Sequence, residues 1–200
     1  MKKVLIVIAA VAATLPACTE EETITPRGPE RLEATTPVNV LKNVATAFNQ
    51  RNTGLLKDML SPDFMFYFDP ADVGHHPPGR KYVIPEFWYY DEFWTAVDNM
   101  YILAYSVSLE VPTGGVGTPA ETATTYQAEE VSLTLRVLVD ELSGYLADEG
   151  YCDYAFESYT GKEGRKYWRL TGWWDHTAVY EDGYPGREPA SLGGVIASFR

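Results

Sequence analysis

Residues 167–177 read Tyr167-Trp168-Arg169-Leu170-Thr171-Gly172-Trp173-Trp174-Asp175-His176-Thr177. Aromatic and aliphatic side chains interleave with polar ones, and no helical spacing runs through them. A strand places successive side chains on opposite faces. Strict alternation puts Trp168, Leu170 and Trp174 on one face, with Arg169, Thr171, Trp173 and Asp175 on the other. The stretch therefore predicts a long, half-buried, antiparallel strand.

Upstream of it the same period recurs. Gly161 to Gly164 is a turn, and Tyr145 to Tyr159 is a strand in which Cys152, Tyr154 and Phe156 share a face. Ser143-Gly144 is a turn. Val131, Leu133, Leu135, Val137 and Val139 alternate with polar residues and predict one further strand. Tyr105 to Val111 alternates too, and a Gly/Pro-rich loop from Pro112 to Glu121 follows it.

The first half has a different period. Val40, Leu41, Val44, Ala47 and Phe48 recur at helical spacing behind Pro37. Thr53 can cap a short second helix that stops at Ser61-Pro62. Phe64 to Phe68 is an aromatic strand closed by Asp69-Pro70. Phe87, Tyr90, Phe93, Trp94, Val97, Met100 and Tyr101 fit a third helix over Pro85 to Tyr101. Helices first and long antiparallel strands later make an α+β domain, with the helices on one face of a curved sheet. A Gly/Pro-rich tail from about residue 181 ends in an apolar segment, Leu192 to Phe199.

Ala47-Phe48-Asn49-Gln50-Arg51-Asn52, then Leu55-Leu56 and Leu60-Ser61-Pro62-Asp63-Phe64, resembles the opening of nuclear transport factor 2-like (SnoaL-like) domains. The closing Tyr167 to Asp175 resembles the last strand of that family. Phe68-Asp69-Pro70-Ala71-Asp72-Val73 and Ser191-Leu192-Gly193 look like bacterial lipoproteins that carry the domain. The resemblance covers residues 37 to 180 and implies a cone, in which a bent sheet wraps around three helices and leaves a pocket. It implies that Phe66, Trp88, Trp94, Tyr105, Tyr154, Trp168 and Trp174 lie on pocket-lining elements. Members include isomerases, dehydratases, cyclases and plain binding modules, so the fold leaves function open.

An apolar pocket with a few polar tips holds a flat or greasy ligand. Asp69 is the candidate catalytic base, because it closes the first strand among aromatics and precedes Pro70. Steroid isomerases of this superfamily also use a tyrosine in the first helix as oxyanion donor. Here that helix, Val38 to Gln50, has none. His75-His76 is a poor chelate, and no Cys-x-x-Cys or His-x-x-x-His spacing exists, so neither metal nor cofactor is expected.

The chain opens Met1-Lys2-Lys3, runs apolar from Val4 to Val11, and reaches Leu15-Pro16-Ala17-Cys18. That is a charged region, a short apolar region and small residues, an export signal too short to span a bilayer. Cys18 after a small residue resembles the lipobox of bacterial lipoproteins, which implies cleavage before it and acylation. Residues 1–17 are then a signal peptide, 18–36 an acylated cysteine and disordered tether, and 37–200 the domain. Thr19, where aspartate favours inner-membrane retention, implies the outer membrane facing the periplasm in a two-membraned cell. Cys152 is left without an internal partner. Without Lys2 and Lys3, 14 cations face 28 acids, a net charge of −14 that disfavours nucleic acid. The expected role is binding a small apolar ligand or a protein partner in or beside the pocket. A homodimer through the sheet face, with Trp173 exposed there, is a further expectation. The alternative is a cofactor-independent isomerase, dehydratase or cyclase using a pocket carboxylate.

Overall fold

The structure, a computed structural model, describes residues 31–148, 150–177 and 187–200. The signal peptide, Cys18 and the tether as far as residue 30 lie outside the described residues. Helix α1 (Pro37–Gln50) starts where the Thr36 hydroxyl accepts the Asn39 N–H at 3.1 Å, and it buries Val40, Leu41, Val44, Ala47 and Phe48. Helix α2 (Thr53–Met59) is capped by Asn52 rather than Thr53, with Asn52 Oδ1 accepting the Leu55 N–H at 2.9 Å. It runs directly into strand β1 (Leu60–Tyr67), which begins four residues before the aromatic run. Pro62 is not a stop. It sits exposed where the β1 register shifts, a place that needs no ladder N–H.

The third helix is shorter than its apolar spacing predicts. Phe87, Trp88 and Tyr89 form strand β2 (Phe87–Tyr89), antiparallel to Tyr67, Phe66 and Met65. Helix α3 (Tyr90–Leu103) starts after it, where Glu92 Oε2 accepts the Tyr89 N–H at 3.3 Å. Cross-strand pairing overrides the helical period at those three residues.

The remaining strands are β3 (Ser106–Glu110), β4 (Thr125–Val131), β5 (Thr134–Leu138), β6 (Gly144–Ala147), β7 (Gly150–Thr160), β8 (Lys166–Thr177) and β9 (Arg187–Pro189). Two expected long strands are each broken. Val131 to Val139 divides into β4 and β5, and Tyr145 to Tyr159 into β6 and β7. The physical reason is a shared corner: β4 and β7 pair in one sheet, β5 and β6 in the other. The sheets are ordered β2-β1-β8-β7-β4 and β3-β5-β6-β9. Pairs β1–β8 and β6–β9 are parallel, and the other pairs are antiparallel. The fold is thus the expected cone-shaped α+β roll, with its core between the helices and the inner sheet surface.

Strand β8 departs from strict alternation. Phe156 pairs with Leu170 and Ala155 with Gly172, so Thr171 is an extra residue, a bulge. One inserted residue exchanges the faces of everything after it. Trp173 and Asp175 therefore point inward with Trp168 and Leu170, and Trp174 points outward. Trp173 is fully buried, which removes it from the outer face assigned by alternation. Gly172 marks the site: a Cβ there would lie 2.4 Å from the Trp174 ring that covers it.

Both ends of the domain are more ordered than composition suggests. Residues 31–36 form a strap rather than free tether. Asn43, buried in α1, accepts the Leu32 N–H at 2.9 Å and donates to the Leu32 carbonyl at 2.8 Å. The Ala34 carbonyl accepts the Trp168 N–H at 2.8 Å. At the other end, helix α4 (Leu192–Ala197) is wholly buried and packs on α3, β6 and β8. The expected tail thus contributes Leu192, Val195, Ile196 and Phe199 to the core.

Candidate functional site

The inside of the cone is filled with rings. Trp173 lies with ring centroids 5.2 Å from Tyr154, 5.8 Å from Phe66, 5.9 Å from Phe93 and 6.4 Å from Phe48. Phe66 stacks on Phe93 at 5.0 Å and meets Phe68 edge-on at 5.1 Å. Trp88 meets Phe68 edge-on at 4.7 Å. Such packing is a core geometry rather than a vacant cavity.

Above these rings, α4 closes the cone through two acids. Asp175 Oδ1 accepts the Thr177 N–H at 2.9 Å and the Thr177 hydroxyl, while Oδ2 accepts the Gly193 N–H at 2.6 Å. The Leu192 N–H donates to the Thr177 hydroxyl oxygen at 2.6 Å. Asp72, in the loop after β1, accepts the Ser191 hydroxyl. Burial pushes the Asp175 carboxyl up to about 6, against the opposing pull of the Thr177 and Gly193 donors, and the Asp72 charge adds to the rise. Burial also raises Asp72, against its Ser191 hydrogen bond. A carboxylate tuned near neutrality is a competent general base. Here both of its oxygens are occupied by the chain itself.

Asp69 sits in the turn after β1, where its Oδ1 accepts the Ala71 N–H at 2.7 Å and its carbonyl accepts the Asp72 N–H at 2.9 Å. The Asp-Pro turn thus uses the side chain locally. The buried acid is Asp175 instead, hidden from sequence reading by the bulge at Thr171. Of the residues expected to line a pocket, Phe66, Trp88, Tyr154 and Trp168 are buried in the packed core. Three others lie elsewhere. Tyr105 is exposed, Trp94 lies under the Lys57 ammonium at 3.6 Å, and Trp174 stacks on Tyr67 at 4.7 Å on the outer sheet face. Cys152 is buried opposite Asp175, and burial raises its thiol well above the ordinary range. His76 Nδ1 lies 2.8 Å from the Tyr82 carbonyl, and His176 turns outward to Asp153 at 3.2 Å. Among the described residues no group of three His, Cys, Asp or Glu is placed to hold a metal. No helix there is long and apolar enough to cross a membrane.

Outside the cone, a groove of about 840 Å³ opens between α2, β1 and the β2–α3 junction. Met65, Phe64, Tyr89 and Tyr90 supply its apolar walls, and Arg169 from β8 reaches in. The Arg169 guanidinium lies 4.2 Å from the Tyr159 ring centroid, and its Nε is buried without a hydrogen-bond partner. Leaving a buried donor of this kind unpaired costs about 1–3 kcal/mol. Burial, with the Asp91 and Asp58 charges, raises the Tyr90 phenol against the pull of Arg169.

The fold and its filled interior define the class as a cone-shaped α+β roll with a self-occupied mouth. No family model matches the chain. No curated protein matches it either. Solved structures do share its fold. A conserved protein from Planctomyces limnophilus is 14% identical, with 70% of this chain and 91% of that one covered and a TM-score of 0.48. A provisional scytalone dehydratase from Novosphingobium aromaticivorans is 10% identical, covering 77% and 89%, with a TM-score of 0.47. An LEH-like epoxide hydrolase from M. tuberculosis is 13% identical, covering 70% and 81%, with a TM-score of 0.37. At these identities the likeness concerns the fold alone.

Proposed function

We propose that the protein is a non-catalytic binding module of the bacterial cell envelope, lipid-anchored through Cys18, which takes its ligand beside the cone. One observation carries the reading: Trp173 and α4 fill the space in which a cone enzyme would hold substrate. The groove beside β1 is open, walled by Met65, Tyr89 and Tyr90, with the Arg169 side chain among its lining. Its best occupant is an apolar body carrying one acceptor group.

Native mass spectrometry of the full chain released from membranes tests this. A bound mass retained by wild type and lost in Met65→Arg supports the groove, and a purely apo wild type sinks the retained-ligand reading. Incorporation of a labelled fatty acid that disappears in Cys18→Ala tests the anchor separately.

The alternative, catalysis by a pocket carboxylate, draws support from Asp175 and from the buried Tyr154 hydroxyl, which has no hydrogen-bond partner. It requires α4 to leave. Exchange of the Gly193 amide within seconds favours it, and protection lasting hours rules it out.

A further inference from the structure

Half of the exposed large apolar side chains among the described residues gather at one corner of the domain: Ile102, Leu103, Tyr105, Val139 and Leu142. The first three lie where α3 ends and β3 begins, and the other two lie in the β5–β6 turn. The Tyr105 N–H donates to the Leu138 carbonyl at 2.7 Å, which fixes the two segments side by side. Leu142 is 85% exposed and Ile102 69%, so the corner is apolar surface in full contact with water.

The turn that presents Leu142 is rigidly built. Asp140 Oδ1 accepts the Leu142 N–H at 2.8 Å and the Ser143 N–H at 2.7 Å, and its Oδ2 accepts the Ser143 hydroxyl at 2.6 Å. The Val139 N–H donates to the Ser143 carbonyl at 3.0 Å. A fixed turn holding out its most exposed leucine is a pre-organised anchor, with little conformational entropy left to lose on contact. Those same donors keep the Asp140 carboxyl below its ordinary range, so the rim charge is permanent near neutrality. Glu141 adds a second acid, and Asp98 lies one helical turn before Ile102. Arg51, the nearby cation, is engaged by the Tyr101 and Tyr105 carbonyls at the end of α3.

We propose that this corner docks a protein partner whose apolar socket, rimmed by Lys or Arg, receives Leu142 between Ile102 and Tyr105. Charge complementarity selects the basic rim. An anionic lipid surface suits the corner poorly, because Asp140 and Glu141 flank the leucine. The position of the strap points the same way. Thr36 starts α1 and Arg51 ends it, so the corner stands about 20 Å along that helix from the strap. The proposal rests on the anchored-module reading only for that orientation, and it concerns a surface separate from the groove.

The test places a photoreactive benzoylphenylalanine at position 142 of the full chain in living cells. The expected result is one discrete protein adduct, reduced at least fivefold by Tyr105→Glu or by Glu141→Lys and unchanged by Met65→Arg. Mass spectrometry of the linked peptide is expected to show apolar residues flanked by Lys or Arg. Any other result overturns the proposal: no adduct, an adduct of twice the chain mass, a lipid adduct, or a protein adduct indifferent to both corner variants. Loss of the Met65→Arg effect in native mass spectrometry, with the position-142 adduct intact, would remove the groove reading alone. Positions 105, 141 and 142 are exposed and Met65 is half-buried, and unchanged tryptophan emission confirms that each variant folds.

Discussion

Asp175 in the last long strand and Gly193 in the final helix are joined by a 2.6 Å hydrogen bond from backbone N–H to carboxylate, inside the molecule. A Cβ at position 193 would lie 2.6 Å from Phe68 Cδ1 and 3.0 Å from Asp175 Oδ2. Gly193→Ala should therefore lift α4 from the cone. Overpacking of this kind costs about 1–3 kcal/mol. Urea unfolding gives the magnitude, and hydrogen exchange should show the loss of protection concentrated in residues 192–197. An unchanged midpoint would show that the mouth has slack.

The same carboxylate sets a pH dependence. Asp175 titrates near 6 in the folded protein, against an ordinary value of 3.8. Between those values the folded state holds the extra proton. The contribution is therefore complete below pH 4 and is lost as pH rises through 6. The full span is about 3 kcal/mol. Asp72 is pushed in the same direction. The stability advantage of wild type over Asp175→Asn should shrink across pH 4 to 6 and stay level above it. Parallel pH profiles for the two proteins would contradict this.

Two adjacent tryptophans should behave very differently. Trp173 is fully buried among four rings, whereas Trp174 lies outside against Tyr67. Trp173→Ala should cost about 3–5 kcal/mol, the range for a large buried aromatic. Trp174→Ala should lose about 0.5–1.5 kcal/mol, the worth of one stacked pair. Equal losses in thermal or urea unfolding would mean that the strand does not change faces at Thr171.

The strap offers a local test. Asn43 holds both the N–H and the carbonyl of Leu32 with one side chain. Asn43→Leu keeps the volume and removes both bonds. Limited proteolysis should then cut within residues 31–36 at least tenfold faster, with α1 still intact. Unchanged protection would assign the strap to its contact with Trp168 instead.

The sequence shows clearly whatever obeys a single period. The stripe from Val40 to Phe48, the spacing of Cys152, Tyr154 and Phe156, and the early helices before late strands all survive in the folded protein. Misreadings fall where a non-local contact overrides the local pattern. Phe87 and Trp88 fit a helical face, yet they pair with β1. Val131 to Val139 alternates without interruption across a corner that only the second sheet imposes. Leu192 to Phe199 looks like a stray apolar tail until Asp175 and Asp72 supply its partners. One local signal for the buried carboxylate was present in Gly172, since a glycine within a strand often marks a bulge. The unpaired Arg169 Nε had no local signal, because it depends on rings and strands distant in sequence.

Helix α4 also bears on the order in which the molecule can be completed. A ribosome delivers β8 before residues 191–197, so Asp175 emerges with Gly193 and Leu192 still missing from its surroundings. Until they arrive, a carboxylate destined for burial stays in water and the rings beneath it lack their cover. Domains reach their stable state only once the contacting units exist together. The helix closing the cone thus acts as a timer, leaving the nascent domain loose until late in its synthesis.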